Sequence, residues 1–298
     1  GTYGAIVDAC YFENCRHAVA GGGATPAMNC VISNCKSFDC GLGTESYDCH
    51  ESTIGFRFYN IFDQAGPNGT GGIVIRGTDV VVDSCQLNGC EILIANTETI
   101  TGSTLGRTVL SNNIIKNHTT GIRTSGLYLN NITITGGVIE NMSAEGIKLV
   151  FTCTNVKISD VSFVSIGTAC VSADDTTNLE VSNCTFNGCD FGVDTYSSSS
   201  NILVSNCVGT CTSSIVRTYL TDNVTVTNCI VSGVTLTNAI YFNRSNNCSV
   251  IACNINTSAG ASYDGIRAWG STNTANNIRV LSPVVTGSYG YGLNCFSN

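Results

Sequence analysis

Charge is what this sequence has least of. Thirteen Lys or Arg and 21 Asp or Glu in 298 residues make 11% charged, where an ordinary globular chain carries about 25%. So few cations, under a net charge of −8, give no electrostatic footprint for nucleic acid or an anionic membrane. No run of 18 apolar residues occurs, so no transmembrane helix and no membrane insertion is expected. Ala, Glu, Lys, Leu and Arg, the material of coiled coils and helical bundles, are scarce. Cys-x2-Cys pairs, the usual mark of a structural metal site, are missing. Proline occurs 3 times. A disordered chain is excluded by the 43% hydrophobic content,. The opening Gly1-Thr2-Tyr3-Gly4 does not read as a signal peptide, and the chain is expected to be a portion of a longer one.

What is abundant is glycine, at 32, and cysteine, at 18, and both fall into a repeat. A β-branched run followed by Ser-Asn-Cys or a variant recurs as Val31-Ile32-Ser33-Asn34-Cys35, Val82-Asp83-Ser84-Cys85, Leu110-Ser111-Asn112-Asn113, Ile134-Thr135-Gly136-Gly137, Ile158-Ser159-Asp160-Val161, Val181-Ser182-Asn183-Cys184, Val204-Ser205-Asn206-Cys207, Val226-Thr227-Asn228-Cys229 and Val250-Ile251-Ala252-Cys253. From Asn113 onward the copies are spaced 22–24 residues apart. Short β-branched stretches bounded by Asn, Gly, Ser and Thr are strands. The period is too short for a propeller blade, and a leucine-rich frame is missing. Three short strands and their turns fill it. The expected fold is all-β: a right-handed, single-stranded parallel β-helix of about 12 coils, as one domain over residues 1–298. The period stretches over residues 40–80, where Ala65-Gly66-Pro67-Asn68-Gly69-Thr70-Gly71-Gly72 inserts a loop.

Asn before Cys is expected at a sharp turn, where Asn tolerates the left-handed conformation and stacks from coil to coil. The following Cys is expected to point inward, a small apolar side chain in a narrow interior. Cys184, Cys207, Cys229 and Cys253 form one column, and Cys189 pairs with Cys211. Stacked reduced thiols are the expected state, which suits folding in a reducing cytosol.

Chemistry must then sit on outward side chains and irregular coils. Glu45-Ser46-Tyr47-Asp48-Cys49-His50-Glu51 packs three acids and a histidine into seven residues. Strand alternation puts Asp48 and His50 on one face, with Arg76 beside them on the next coil. An acid, a His and an Arg on one face, flanked by Glu45 and Glu51, are the groups for acid–base work on a sugar acid. The same outward columns carry Arg123, Lys148, Asp174, Asp194, Tyr196, Tyr241 and Trp269. Carboxylates on adjacent rungs, Asp174 and Asp175 with Asp194, are the groups of a glycosidase pair; carboxylates are also the donors that Ca²⁺ takes. The aromatics, with Tyr47, are expected to stack on sugar rings. No cofactor is implied.

This repeat, with Tyr47-Asp48-Cys49-His50-Glu51 followed one coil on by Gly71-Gly72-Ile73-Val74-Ile75-Arg76-Gly77, resembles the right-handed β-helix proteins grouped with pectate lyases, and most of all phage tailspike and tail-fibre β-helices. Asp48 and His50 also resemble the Asp-Pro-His step of mannuronan epimerases and alginate lyases, with Cys49 in place of the proline. The resemblance implies a homotrimeric virion tail or extracellular protein that binds and cleaves a host surface polysaccharide. Two other readings stand beside it: a non-catalytic adhesin or structural rod, and a secreted uronan lyase or epimerase.

Overall fold

The computed structural model describes residues 2–297 except 22–26, 43–44, 50–52, 96–105, 127, 261–262 and 271–276. Its strands are all parallel and stack in three ladders. One ladder holds 12 strands, from Ile6–Asp8 to Arg279–Leu281, which makes a solenoid of about 11 turns. Its register carries the sequence period directly: Ile132 pairs with Val156, Val156 with Leu179, Leu179 with Ile202 and Ile202 with Val224. All five are buried. One position per coil therefore makes one column of the core, and each coil buries its apolar face only by stacking on its neighbours.

The other two ladders are joined where single strands, Thr185–Tyr196 and Val208–Tyr219, run through a corner that separate strands share elsewhere. The pair absorbs the bend through register shifts at Cys189,. One of these ladders carries the charged face described below. The other turns an apolar column outward: Phe62, Ile114, Val138, Val208, Ile230 and Val284 fall in register, with Gln86, Ser162, Thr185 and Asn254 between them.

The cysteines stack inward as the period requires. Fifteen of the 18 are buried. Cys184, Cys207, Cys229 and Cys253 each donate a thiol hydrogen bond to the carbonyl two residues earlier, at 3.3–3.5 Å. The turn thus satisfies its own thiol, and a column of sulfur needs no partner outside its rung. Burial pushes the Cys85 thiol up to about 12,. Cys189 and Cys211 lie with sulfurs 3.3 Å apart on adjacent rungs.

Asparagine does more than the turn before Cys required. Asn34, Asn183, Asn206 and Asn228 take φ of +52 to +54°, the left-handed region, as the sequence predicts. The long side-chain ladder stands at a second corner, where the next strand begins. There Asn155 donates to Asn131 at 3.4 Å, Asn178 to Asn155 at 2.9 Å, and Asn201 to Asn178 at 3.0 Å. Asn223, Asn247 and Asn277 continue it at 3.0–3.1 Å. These residues also have positive φ, and identical backbone on every rung puts each amide under the next amide's oxygen. The inserted loop at residues 65–72 is pinned from below. The Asp39 carboxylate accepts from the Asn68 amide N–H at 2.8 Å and the Gly69 N–H at 2.6 Å. A Cβ at Gly69 would meet the Cys40 carbonyl oxygen at 2.1 Å, so only glycine fits,.

Candidate functional site

Five of the eight ion pairs among the described residues sit on the outward face of one ladder. Register aligns Asp48, Val74, Leu93, Arg123, Lys148, Ser172, Asp194, Arg217, Tyr241 and Arg267 in a single column. Asp48, Arg123, Lys148, Asp194 and Tyr241 stand where strand alternation predicts. At the eighth rung the expected frame is one residue off. Ile215 and Val216 are both buried, Val216 pairs with Val193 and Ile240, and Arg217 faces out. Two consecutive apolar residues leave hydrophobic pattern without a way to choose the inward one, so the sequence reading passed over Arg217.

Arg217 is the centre of the best-formed cluster on this face. Its Nε donates to Asp194 Oδ1 at 2.8 Å and its Nη2 to Oδ2 at 2.6 Å. The Tyr196 hydroxyl donates to the same carboxylate and accepts from the same guanidinium. The guanidinium lies over the Phe191 ring, 3.7 Å from its centroid. Asp194 is only 3% exposed, so the bidentate pair is what compensates its burial. Burial, then the neighbouring Asp194 carboxylate, push the Tyr196 hydroxyl up to about 12,. Tyr196 is therefore a hydrogen-bonding and stacking group at neutral pH, not a base.

Four rungs earlier the same device recurs. Arg123 donates through Nε and Nη2 to Glu91 at 3.2 and 2.6 Å. Those bonds hold its guanidinium above the ordinary range, outweighing burial, with a smaller share from Glu45. Lys148 pairs with Glu145 at 2.7 Å, whose other oxygen accepts from Thr120. Asp174 is exposed, pairs in register with Tyr196, and makes no side-chain hydrogen bond or ion pair among the described residues. Between these groups run two open depressions of about 580 and 400 Å³ that share Glu145, Lys148 and Val150. Together they form one groove from Glu91 to Arg217. Further along, Arg267 sits 6.0 Å from the Tyr241 ring centroid and 4.9 Å from that of Trp269, which is 38% exposed.

The first expected cluster is placed differently. Arg76 Nη1 contacts both Asp48 oxygens at 2.8 Å, so these two residues form a closed ion pair. His50 and Glu51 lie outside the described residues. Glu45 presents its carbonyl to His17 Nδ1 at 3.0 Å, and its charge acts on Arg123. Tyr47 corrects the expectation that it contacts substrate. It pairs with Ile73 and is fully buried, as alternation demands of the residue before an outward Asp48. Its hydroxyl lies 3.0 Å from the Ser37 hydroxyl, which donates to Asp63 at 2.5 Å. Asp63 is a buried carboxylate that the sequence reading did not single out. It accepts further bonds from Ser46 and the Gly72 N–H, and burial raises its pKa despite them. No group of three or more His, Cys, Asp or Glu side chains among the described residues converges as metal donors; both Asp194 oxygens are taken by Arg217.

A parallel β-solenoid with an ion-paired, aromatic-flanked groove on one face is the class of protein these features define. Residues 24–186 match the model of the right-handed β-helix region family, and the chain belongs to that family. Among solved structures, it is similar to the surface protein and adhesin PfbA of Streptococcus pneumoniae (TM-score 0.62, 12% identity, covering 97% of this chain and 91% of that one). It is also similar to a variant of the periplasmic alginate epimerase AlgG (TM-score 0.53, 10% identity, 90% and 77%). Tailspike protein 2 of bacteriophage CBA120 matches with a TM-score of 0.44 at 11% identity, over 92% of this chain and 43% of that one. No curated protein matches the sequence.

Proposed function

We propose that the chain binds a polysaccharide lengthwise in the groove between Glu91 and Arg217, as an extracellular or virion-borne surface protein. One observation carries this: a chain with 11% charged residues lines a single groove with Arg123, Lys148, Asp174, Asp194 and Arg217, and flanks it with Phe191 and Tyr196. Ion-paired guanidinium and carboxylate groups offer donors and acceptors side by side, and aromatic faces suit the apolar faces of sugar rings. The adhesin and the alginate epimerase with the same fold work, by their names, at a cell surface and on a polysaccharide. The test is retention of the chain on immobilised capsular, teichoic and uronate polymers and neutral glycans. At least one is expected to hold it; retention on none removes the reading.

Cleavage is the second reading, and Asp174 favours it. It is exposed and is the groove carboxylate without an ion pair among the described residues. If the groove hydrolyses its ligand, reducing ends will appear with the native chain and vanish with Asp174→Ala. Unsaturated uronate ends, seen by ultraviolet absorbance, would instead indicate elimination.

The homotrimer implied by the family resemblance has a surface to use in the outward column Phe62, Ile114, Val138, Val208, Ile230 and Val284. A three-chain mass by light scattering is expected, falling to one chain in Val208→Glu with Ile230→Glu. A single-chain mass for the native protein counts against the trimer and leaves the groove untouched.

A further inference from the structure

The groove carries its charge as closed pairs, and this limits the polymer it accepts. Among the described residues its ionised side chains are Glu91, Glu145, Asp174 and Asp194 against Arg123, Lys148 and Arg217, a net charge of −1 on a chain of net charge −8. Each cation already has a carboxylate, at 2.6 Å for Arg123 and Arg217 and 2.7 Å for Lys148. We propose that this groove selects an uncharged, hydroxyl-rich glycan and rejects polyuronates and other polyanions, with Asp174 and the Nη1 groups of Arg123 and Arg217 binding its hydroxyls; the inference rests on the glycan-binding reading above.

Both arginines grip their acid through Nε and Nη2. Nη1, with two N–H donors, is left without a partner among the described residues. A sugar hydroxyl both donates and accepts, so Nη1 can serve its oxygen while an exposed carboxylate such as Asp174 takes its proton. A ligand carboxylate only accepts. To gain Arg217 it must displace Asp194, which is nearly buried and would be stranded without its counter-charge. Next to Asp174 it meets a like charge. No surplus of positive charge gathers a polyanion from solution either.

The experiment uses the full chain on two sets of immobilised polymers, neutral (dextran, mannan, galactan, α-1,3-glucan) and anionic (alginate, polygalacturonate), at about 50 and about 500 mM NaCl. The native chain is expected to bind at least one neutral polymer with an affinity that changes less than about twofold with salt, and neither uronate. Glu145→Gln combined with Asp194→Asn uncovers Lys148 and Arg217, and is expected to gain alginate binding of at least about tenfold that disappears at the higher salt. Glu145→Gln alone, on the more exposed pair, serves if the double variant fails to fold. Native binding to a uronate tighter than to every neutral polymer overturns this inference and leaves the glycan reading standing. So does a folded variant with no gain on alginate. Binding to none of the six polymers overturns this inference, and retention on none of the capsular and teichoic polymers either overturns the glycan reading with it.

Discussion

Replacing Arg217 by alanine is expected to be the most damaging single change on the charged face. It leaves the Asp194 carboxylate, 3% exposed, facing only the Tyr196 hydroxyl, and it removes the cation stacked on Phe191. Truncating one partner of a buried pair costs about 3–5 kcal/mol. The guanidinium retains some solvent contact, so the lower end applies, about 3 kcal/mol, or a fall in melting temperature of about 5 °C for a chain of this size. Glycan retention should drop to background, because the ring stack and the Nη1 donors go together. The double variant Asp194→Asn with Arg217→Met separates the two effects. It removes both charges at similar volume, so most of the lost stability should return while retention stays lost. Melting followed by circular dichroism, with retention on the bound polymer, reads both. A single variant that melts within about 2 °C of the native chain would show that the pair is not what compensates Asp194.

The second large effect is expected inside the coil, at Phe163. Its ring packs 5.7 Å from that of Phe186 on the next rung, and it pairs with Ile139 on the rung before. All three are buried. Phe163→Ala is expected to cost about 3–5 kcal/mol, the transfer term plus a cavity that rigid neighbouring rungs cannot close. Phe163→Leu should cost under about 2 kcal/mol. Because rungs touch only their neighbours, the loss falls on two interfaces. Hydrogen exchange should rise in Val138–Met142, Ser162–Ile166 and Thr185–Tyr196 well before it rises near Ile240–Asn243. A loss under about 1 kcal/mol would mean the site collapses around the cavity.

The period made most of this fold legible. Cys184, Cys207, Cys229 and Cys253 could be placed inside from spacing alone, because every coil repeats the same local instruction. Turn length is where that reasoning stops. Ile215-Val216 reads equally well in two frames, so pattern alone could not single out Arg217 as the residue that faces out. Asp194 was visible as an outward carboxylate, but its burial comes from Arg217, Tyr196 and Phe191 closing over it, which no alternation rule contains. Asp63 was invisible for the opposite reason. It is a charge facing the core, tolerated because Ser37 and Ser46 from the coil before and the Gly72 amide of its own coil converge on it. Asp48 and Arg76 were chosen for proximity, and proximity is what they have; their mutual bonds take up the groups that chemistry would have needed.

Strand width along the solenoid has a mechanical consequence. Hydrogen bonds between rungs point along the long axis, so tension on the rod loads all the bonds of one interface together, and the narrowest interface yields first. Around Arg57–Tyr59, Phe62–Gln64 and Ile73–Ile75 each strand is three residues long. Between Cys153 and Tyr219 strands reach seven and twelve. Pulled from its ends, this rod should part near the inserted loop and keep the groove whole, so that a bound polymer is the last thing it lets go.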